Sequence, residues 1–224
     1  MTKRMLSVVL VLVICSATAA FAGMIDLSKI GIGSSAPAAT TPALSNLTAA
    51  RDNVTNKYMS VIQSMTGGLQ SAASSFGLQN AASGQLSALK GVTASGIDQS
   101  SLSSTQGALG SIVALIRQKM QTAPALNAGE QQQYAGAVTG LAGALQKGKE
   151  LLPLLSTFAG QTQGALKGAS LTDAAKISNV AAPGLALVNK FPAELQMGKD
   201  ALILLVQYAK AKGIAIPAIA NGLI

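Results

Sequence analysis

Small or apolar residues recur at intervals of four and three through the middle of the chain, and this spacing restricts the fold more than any other sequence feature. The stripe consists of Tyr134, Val138, Leu141, Leu145, Gly148, Leu152 and Leu155. Residues at this spacing share one face of an α-helix, whereas a half-buried strand needs alternation at every second residue. Asn127 and Glu130 have the spacing of a helix-starting capping box. We therefore predict a packed helix from Asn127 to about Lys167, with a kink or a new helix start at Pro153.

The composition favours helices throughout the chain. Forty of the 224 residues are alanine, the best helix former, and only 3% are aromatic. The β-branched and aromatic residues that favour sheets are comparatively sparse. We predict an all-α fold, an up-and-down bundle of five to seven helices spanning residues 42–213, with a flexible N-terminal segment.

Caps, prolines and glycines predict the boundaries of the remaining helices. The first begins at Thr41 and Pro42 and ends or kinks at Gly67-Gly68, and a weaker helix follows over residues 69–90. Residues 91–98 are predicted to form a turn, and the next helix is closed by Pro124.

Two more helices are predicted before the C-terminus. Ser170 caps a short helix, with Asp173 in its first turn, that ends at Pro183-Gly184. The last long helix starts near Pro192, has Glu194 in its first turn and ends at Gly213. The apolar tail, residues 214–224, is expected to dock on the bundle or to meet a partner.

The N-terminus has the pattern of a cleavable secretory signal. Lys3 and Arg4 precede an apolar stretch of about ten residues, and Ala20-Phe21-Ala22 supplies a small-residue cleavage site. We predict cleavage after Ala22, a flexible linker at 23–41, and a periplasmic or secreted location in a bacterial envelope. Lipidation at Cys15, the only cysteine, is disfavoured because the large Ile14 precedes it.

The side chains that are missing exclude many functions. The chain has no histidine and no tryptophan, and cleavage would remove Cys15. Nucleophilic triads and histidine or cysteine metal sites are thereby excluded from the mature chain. The acids are widely spaced, and the cations are scattered singly or in pairs rather than clustered for nucleic acid. We predict no enzyme activity, no cofactor, no metal and no nucleic-acid partner.

Small residues repeated every fourth position are the candidate functional feature. Such repeats let helix backbones approach closely, although each glycine costs about 1 kcal/mol against alanine in a helix. Three interpretations compete, namely packing inside one bundle, association with a partner helix or a second copy, and membrane insertion. The repeats are Gly136, Gly140, Ala144 and Gly148, and then Gly160, Gly164 and Gly168.

These observations predict a class of function without identifying a family. The leading hypothesis is an exported, non-catalytic helical-bundle protein that acts by binding a partner, or an apolar ligand between its helices. The alternative is a membrane-active protein whose amphipathic helices bind or perturb bilayers. Loss of Lys3 and Arg4 would leave the mature chain at +6, a charge that anionic lipid would attract.

Overall fold

The computed structural model describes residues 41–95, 97–122 and 125–223, which form an all-α bundle of six helices. The helical bundle predicted from the sequence is thereby confirmed. The predicted signal and nearly all of the predicted linker lie outside the described residues. The helices are α1 (Thr41–Ser75), α2 (Ser83–Ser95), α3 (Gln99–Thr122), α4 (Ala128–Leu166), α5 (Leu171–Lys212) and α6 (Ala218–Asn221).

Three long helices, α1, α4 and α5, pack along one another. Helix α4 is antiparallel to α1, since Lys147 Nζ donates to Ser64 Oγ at 2.8 Å while Gly140 meets Gly68 further along both helices. It is also antiparallel to α5, because the Tyr134 hydroxyl donates to the carbonyl of Leu205 while Gly148 meets Leu195. The alternation of directions is that of an up-and-down bundle.

The shorter helices cover the remaining sides of this arrangement. Helix α2 packs on α1 and α3, and α3 packs on α5. The side chain of Gln106 on α3 donates to the carbonyl of Lys190 on α5 at 3.3 Å. Helix α3 therefore lies against the middle of α5, where two of the three prolines described below are found.

Aromatic rings that contact one another form two groups in the core. Near the C-terminal end of α1, the ring of Phe76 meets those of Tyr134 and Tyr208 edge-on, at centroid distances of 6.0 and 5.2 Å. At the middle of α1, the ring of Tyr58 meets that of Phe191 edge-on, at a centroid distance of 5.8 Å. Edge-to-face contacts of this kind add to the stability that burial alone provides.

Three predicted helix ends are confirmed by their hydrogen bonds. The Asn127 side chain accepts from Glu130 N at 3.0 Å, and the Glu130 carboxylate accepts from Asn127 N at 2.7 Å. Ser170 Oγ accepts from Asp173 N at 3.2 Å. Gly213 ends α5 with φ +67°, a left-handed conformation that glycine adopts without strain.

The helix boundaries predicted for residues 67–98 are wrong. Helix α1 does not end at Gly67-Gly68 but continues to Ser75. It ends where Gly77 takes φ +66°, so the predicted helix over 69–90 is divided in two. Helix α2 then runs to Ser95, through most of the segment predicted to be a turn. Pro124 and the side chain of Thr41 lie outside what the structure describes.

The predictions that a helix ends at Pro183 and starts at Pro192 are also wrong, and no new helix starts at Pro153. Helix α4 continues through Pro153, and α5 is one helix that passes both Pro183 and Pro192. A proline removes one backbone hydrogen bond and disturbs the preceding turn. Packing on both sides outweighs that cost, since Leu187 and Phe191 are buried before Pro192 and Leu202 is buried after it.

The C-terminal tail docks on the body of the protein. Ile214, Ile216 and Leu223 pack against the core, and Ala220 is fully buried. The short helix α6 packs on α4. Ile219 stays 41% exposed, so the tail buries one side and leaves the other in solvent.

Candidate functional site

The first repeat of small residues lies inside the bundle. A Cβ added to Gly140 would stand 2.9 Å from the Gly68 Cα and 3.1 Å from the Gly68 nitrogen. A Cβ added to Gly68 would stand 2.8 Å from the backbone nitrogen of Leu141. Helices α1 and α4 therefore cross backbone against backbone at this pair of glycines, and neither position has room for a side chain.

The same face of α4 continues against α5. Ala144 is fully buried, and a Cβ on Gly148 would stand 2.3 Å from a methyl of Leu195 and 3.3 Å from the ring of Phe191. Gly136, at the start of the repeat, has Ser71 Oγ at the edge of contact, 4.0 Å away. Close packing within one chain thus explains Gly140, Ala144 and Gly148.

The second repeat faces solvent. A Cβ added to Gly160 or to Gly164 would meet nothing within 4 Å apart from its own helix. Gly168 belongs to the turn after α4, where its φ of +88° favours glycine for a conformational reason. The structure therefore separates the two repeats, which sequence reasoning treated alike.

An exposed ridge of α4 contains the two open glycines. We call it the α4 ridge and define it as Leu152, Ser156, Gly160 and Gly164, four exposed residues at every fourth position. No charged residue occurs between Glu150 and Lys167. Leu152 is one of the few large apolar side chains that stay exposed, at 38%. The α4 ridge is thus an uncharged strip, and its small residues leave room for another helix to approach closely.

A second feature was missed by the sequence analysis. Glu194, predicted to be an ordinary acid in a first helical turn, lies in the middle of α5 and is fully buried. Neither of its carboxyl oxygens has a hydrogen-bond partner, and the buried hydroxyl of Tyr58 has none either. The apolar stripe through Phe191 and Gly198 could have revealed it, because that stripe places residue 194 on the buried face.

The carboxyl of Glu194 and the hydroxyl of Tyr58 face each other in the core. Burial raises the pKa of Glu194 to about 7, while the Tyr58 hydroxyl and the ammonium of Lys190 oppose that rise. Burial and the neighbouring Glu194 both raise the pKa of Tyr58. The two groups interact without closing a hydrogen bond of ordinary geometry, so the pair is held by the packing around it.

Five of the six other acids of the described residues have structural partners at helix ends or on the surface. Asp98 accepts from Ser101 N at 2.6 Å, and such hydrogen bonds lower its pKa. Asp173 and Glu130 belong to the two caps described above. Among the residues described, no group of three acidic, histidine or cysteine side chains could hold a metal ion.

Compared with known proteins, the chain matches no family model, no curated sequence and no solved structure. Across the described residues, the helices do not combine the length and the apolar character that a membrane crossing requires. The fold and the surface of the bundle are therefore what a functional proposal can be built on.

Proposed function

We propose that this is an exported, non-catalytic helical-bundle protein that acts by binding, with the α4 ridge as its docking surface for another helix. The observation that carries the proposal is the open space beside Gly160 and Gly164. Glycine in a helix interior costs about 1 kcal/mol against alanine. At Gly140 and Gly148 contacts inside the chain offset the cost, whereas the two ridge glycines have no such contact and a docked helix would supply one.

A second copy of the chain is the occupant that we assign to the ridge. The protein already packs glycine on glycine where α1 crosses α4. Two copies related by a two-fold axis would bring the same uncharged strip together from both sides, which is how symmetric homodimers form. Exposed charges do not interrupt the strip, so the contact would require no desolvation of ions.

Sedimentation velocity tests this proposal. We expect the mature protein to self-associate at micromolar concentrations, and the double variant G160L/G164L to sediment as a monomer because the leucines fill the strip. Leucine is the better helix former, so circular dichroism should show unchanged helicity. The matched control is Gly107→Leu on α3, an exposed glycine with equally open surroundings. The control should associate as wild type does. A monomeric wild type, or a G160L/G164L variant that still associates, would contradict the proposal.

The alternative function is binding to a bilayer surface. Its support is the net positive charge together with apolar side chains exposed at Leu171 (70%) and Ile219 (41%). Co-sedimentation with vesicles containing phosphatidylglycerol, at low and at high salt, distinguishes the two functions. Binding that disappears in neutral vesicles would favour the membrane function, and native mass spectrometry would detect a lipid held between the helices.

A further inference from the structure

Glu194 is an acid that the fold buries without a partner. Its exposed fraction is 0%, and both carboxyl oxygens lack a hydrogen bond. A charged carboxylate in such a place is strongly disfavoured, and the usual outcome is that the group keeps its proton. The folded bundle therefore binds a proton at a place where the unfolded chain would release it.

Each element packed around Glu194 contributes a known set of groups. Helix α1 presents the Tyr58 hydroxyl, and α3 presents Thr105, which interacts with that hydroxyl. On α5, the charge of Lys190 acts from one turn earlier. Helix α4 meets this part of α5 at Gly148, which contacts the neighbouring Phe191 and Leu195. Among the described residues, the positive charge set against a Glu194 carboxylate is that of Lys190.

The backbone of α5 is weakened beside this acid. Pro192 has no N–H, so the carbonyl of Val188 lacks the donor that a regular helix supplies. Pro183, nearer the N-terminus of α5, interrupts the backbone hydrogen bonds of the same helix. Helices bend at such positions more readily than elsewhere. Hydration of the Glu194 carboxyl would therefore act next to the backbone hydrogen bond that α5 lacks at Pro192.

We propose that Glu194 is a proton-dependent latch, which lets α5 pack on α1 and α3 while the proton is bound and loosens that packing when the proton leaves. The latch is independent of the α4 ridge. It belongs to the class of switches in which a buried group changes charge and biases a packed interface. Its ligand is the proton itself, and α5 is the element that responds.

The chain makes the latch unusually easy to isolate. It contains no histidine, so no other side chain has an ordinary pKa near neutrality. Folding raises the pKa of Glu194 from 4.5 to about 7. The stability that the proton provides is complete below pH 4.5, falls as the pH rises toward 7 and stays lost above it. A shift of this size corresponds to a few-hundredfold change in the unfolding equilibrium constant.

Urea denaturation of the mature protein between pH 5 and pH 9 tests the latch. We expect the unfolding equilibrium constant of wild type to rise on the order of a hundredfold over this range. Glu194→Gln keeps the shape and cannot ionise, so its constant should stay level and should be lower than that of wild type at pH 8. Glu150→Gln, which removes an exposed acid from α4, is the control and should follow wild type. Equal pH dependence in wild type and Glu194→Gln would overturn the proposal.

A second measurement needs no variant. Hydrogen exchange of wild type at pH 6 and pH 8.5, corrected for the intrinsic rate, should show amides of residues 188–198 losing protection more than those of residues 134–145 on α4. Equal protection at the two pH values would overturn the latch even if Glu194→Gln failed to fold. A loss confined to residues 134–145, with residues 188–198 unchanged, would also overturn it, because the proposal places the response in α5.

Discussion

Three acids of this chain occupy similar local sequences and end in different surroundings. Glu130 and Asp173 lie three residues after a capping side chain, and both make the hydrogen bonds that the sequence predicts. Glu194 lies two residues after a proline and was predicted to occupy the same kind of place. It is instead buried in mid-helix beside Tyr58, because Pro192 does not start a helix. A cap can be predicted from adjacent residues, whereas burial of residue 194 depends on three helices that are distant in sequence.

The hydroxyl of Tyr58 should tune the proton affinity of Glu194. It stabilises the carboxylate and so lowers the pKa of Glu194. We expect Tyr58→Phe to raise that pKa further, so the loss of stability, which begins near pH 4.5, extends to higher pH. At pH 5 the unfolding free energy of the variant should lie within about 1 kcal/mol of that of wild type, because the hydroxyl that it removes has no hydrogen bond to lose.

The control for this prediction is Tyr134→Phe. Its hydroxyl donates to the carbonyl of Leu205, far from Glu194 along α5. We expect this variant to lose about 1 to 2 kcal/mol of unfolding free energy at every pH, with no movement of the pH profile. A Tyr58→Phe profile that coincides with that of wild type would show that the hydroxyl does not act on Glu194.

At the scale of elements, the sequence predicted the existence of helices better than their ends. Local pattern was sufficient for the helix that begins after Asn127 and for the end of α5 at Gly213. Pro183 was wrongly expected to end a helix, and Pro153 and Pro192 do not start one. A local rule cannot weigh the loss of one hydrogen bond against packing along a whole helix. The buried face of α5 passes its prolines without a gap, and following it would have given the correct length.

The crossing of α1 and α4 makes a matched prediction at adjacent positions. Gly68→Ala should lower the free energy of unfolding by about 1 to 3 kcal/mol, because its Cβ would meet the backbone of Leu141 at 2.8 Å and of Ala137 at 3.2 Å. Gly67→Ala meets nothing within 4 Å and should raise that free energy by up to about 1 kcal/mol. Thermal and urea denaturation of the two variants measure both changes. Equal effects would show that the helices do not cross at Gly68.

For the whole molecule, the buried residues form one connected core that includes the C-terminal tail. The sequence left open whether residues 214–224 dock or meet a partner, since an apolar tail without periodicity fits both. The structure docks it through Ile214, Ile216 and Leu223. Prediction from sequence has the same limit for the glycine repeats. Their spacing alone does not indicate that Gly160 faces solvent while Gly140 lies between helices.

Deletion of residues 214–224 should therefore destabilise the bundle as a unit. Removing the apolar side chains that pack on the core should cost about 2 to 4 kcal/mol and lower the melting temperature, with a single cooperative transition retained. Ala215→Ser, at an exposed position of the tail, is the control and should stay within about 0.5 kcal/mol of wild type. Unchanged melting of the truncated chain would mean that the tail contributes no packing energy.

The distribution of aromatic rings gives the protein a built-in optical reporter. The chain has three tyrosines and no tryptophan, and Tyr58, Tyr134 and Tyr208 are all buried. Its near-ultraviolet signal therefore comes from the interior alone. Tyr58 reports on the surroundings of Glu194, while Tyr134 and Tyr208 report on the cluster around Phe76. With one of these rings replaced at a time, absorbance and circular dichroism can follow the two parts of the core separately, and no dye has to be attached.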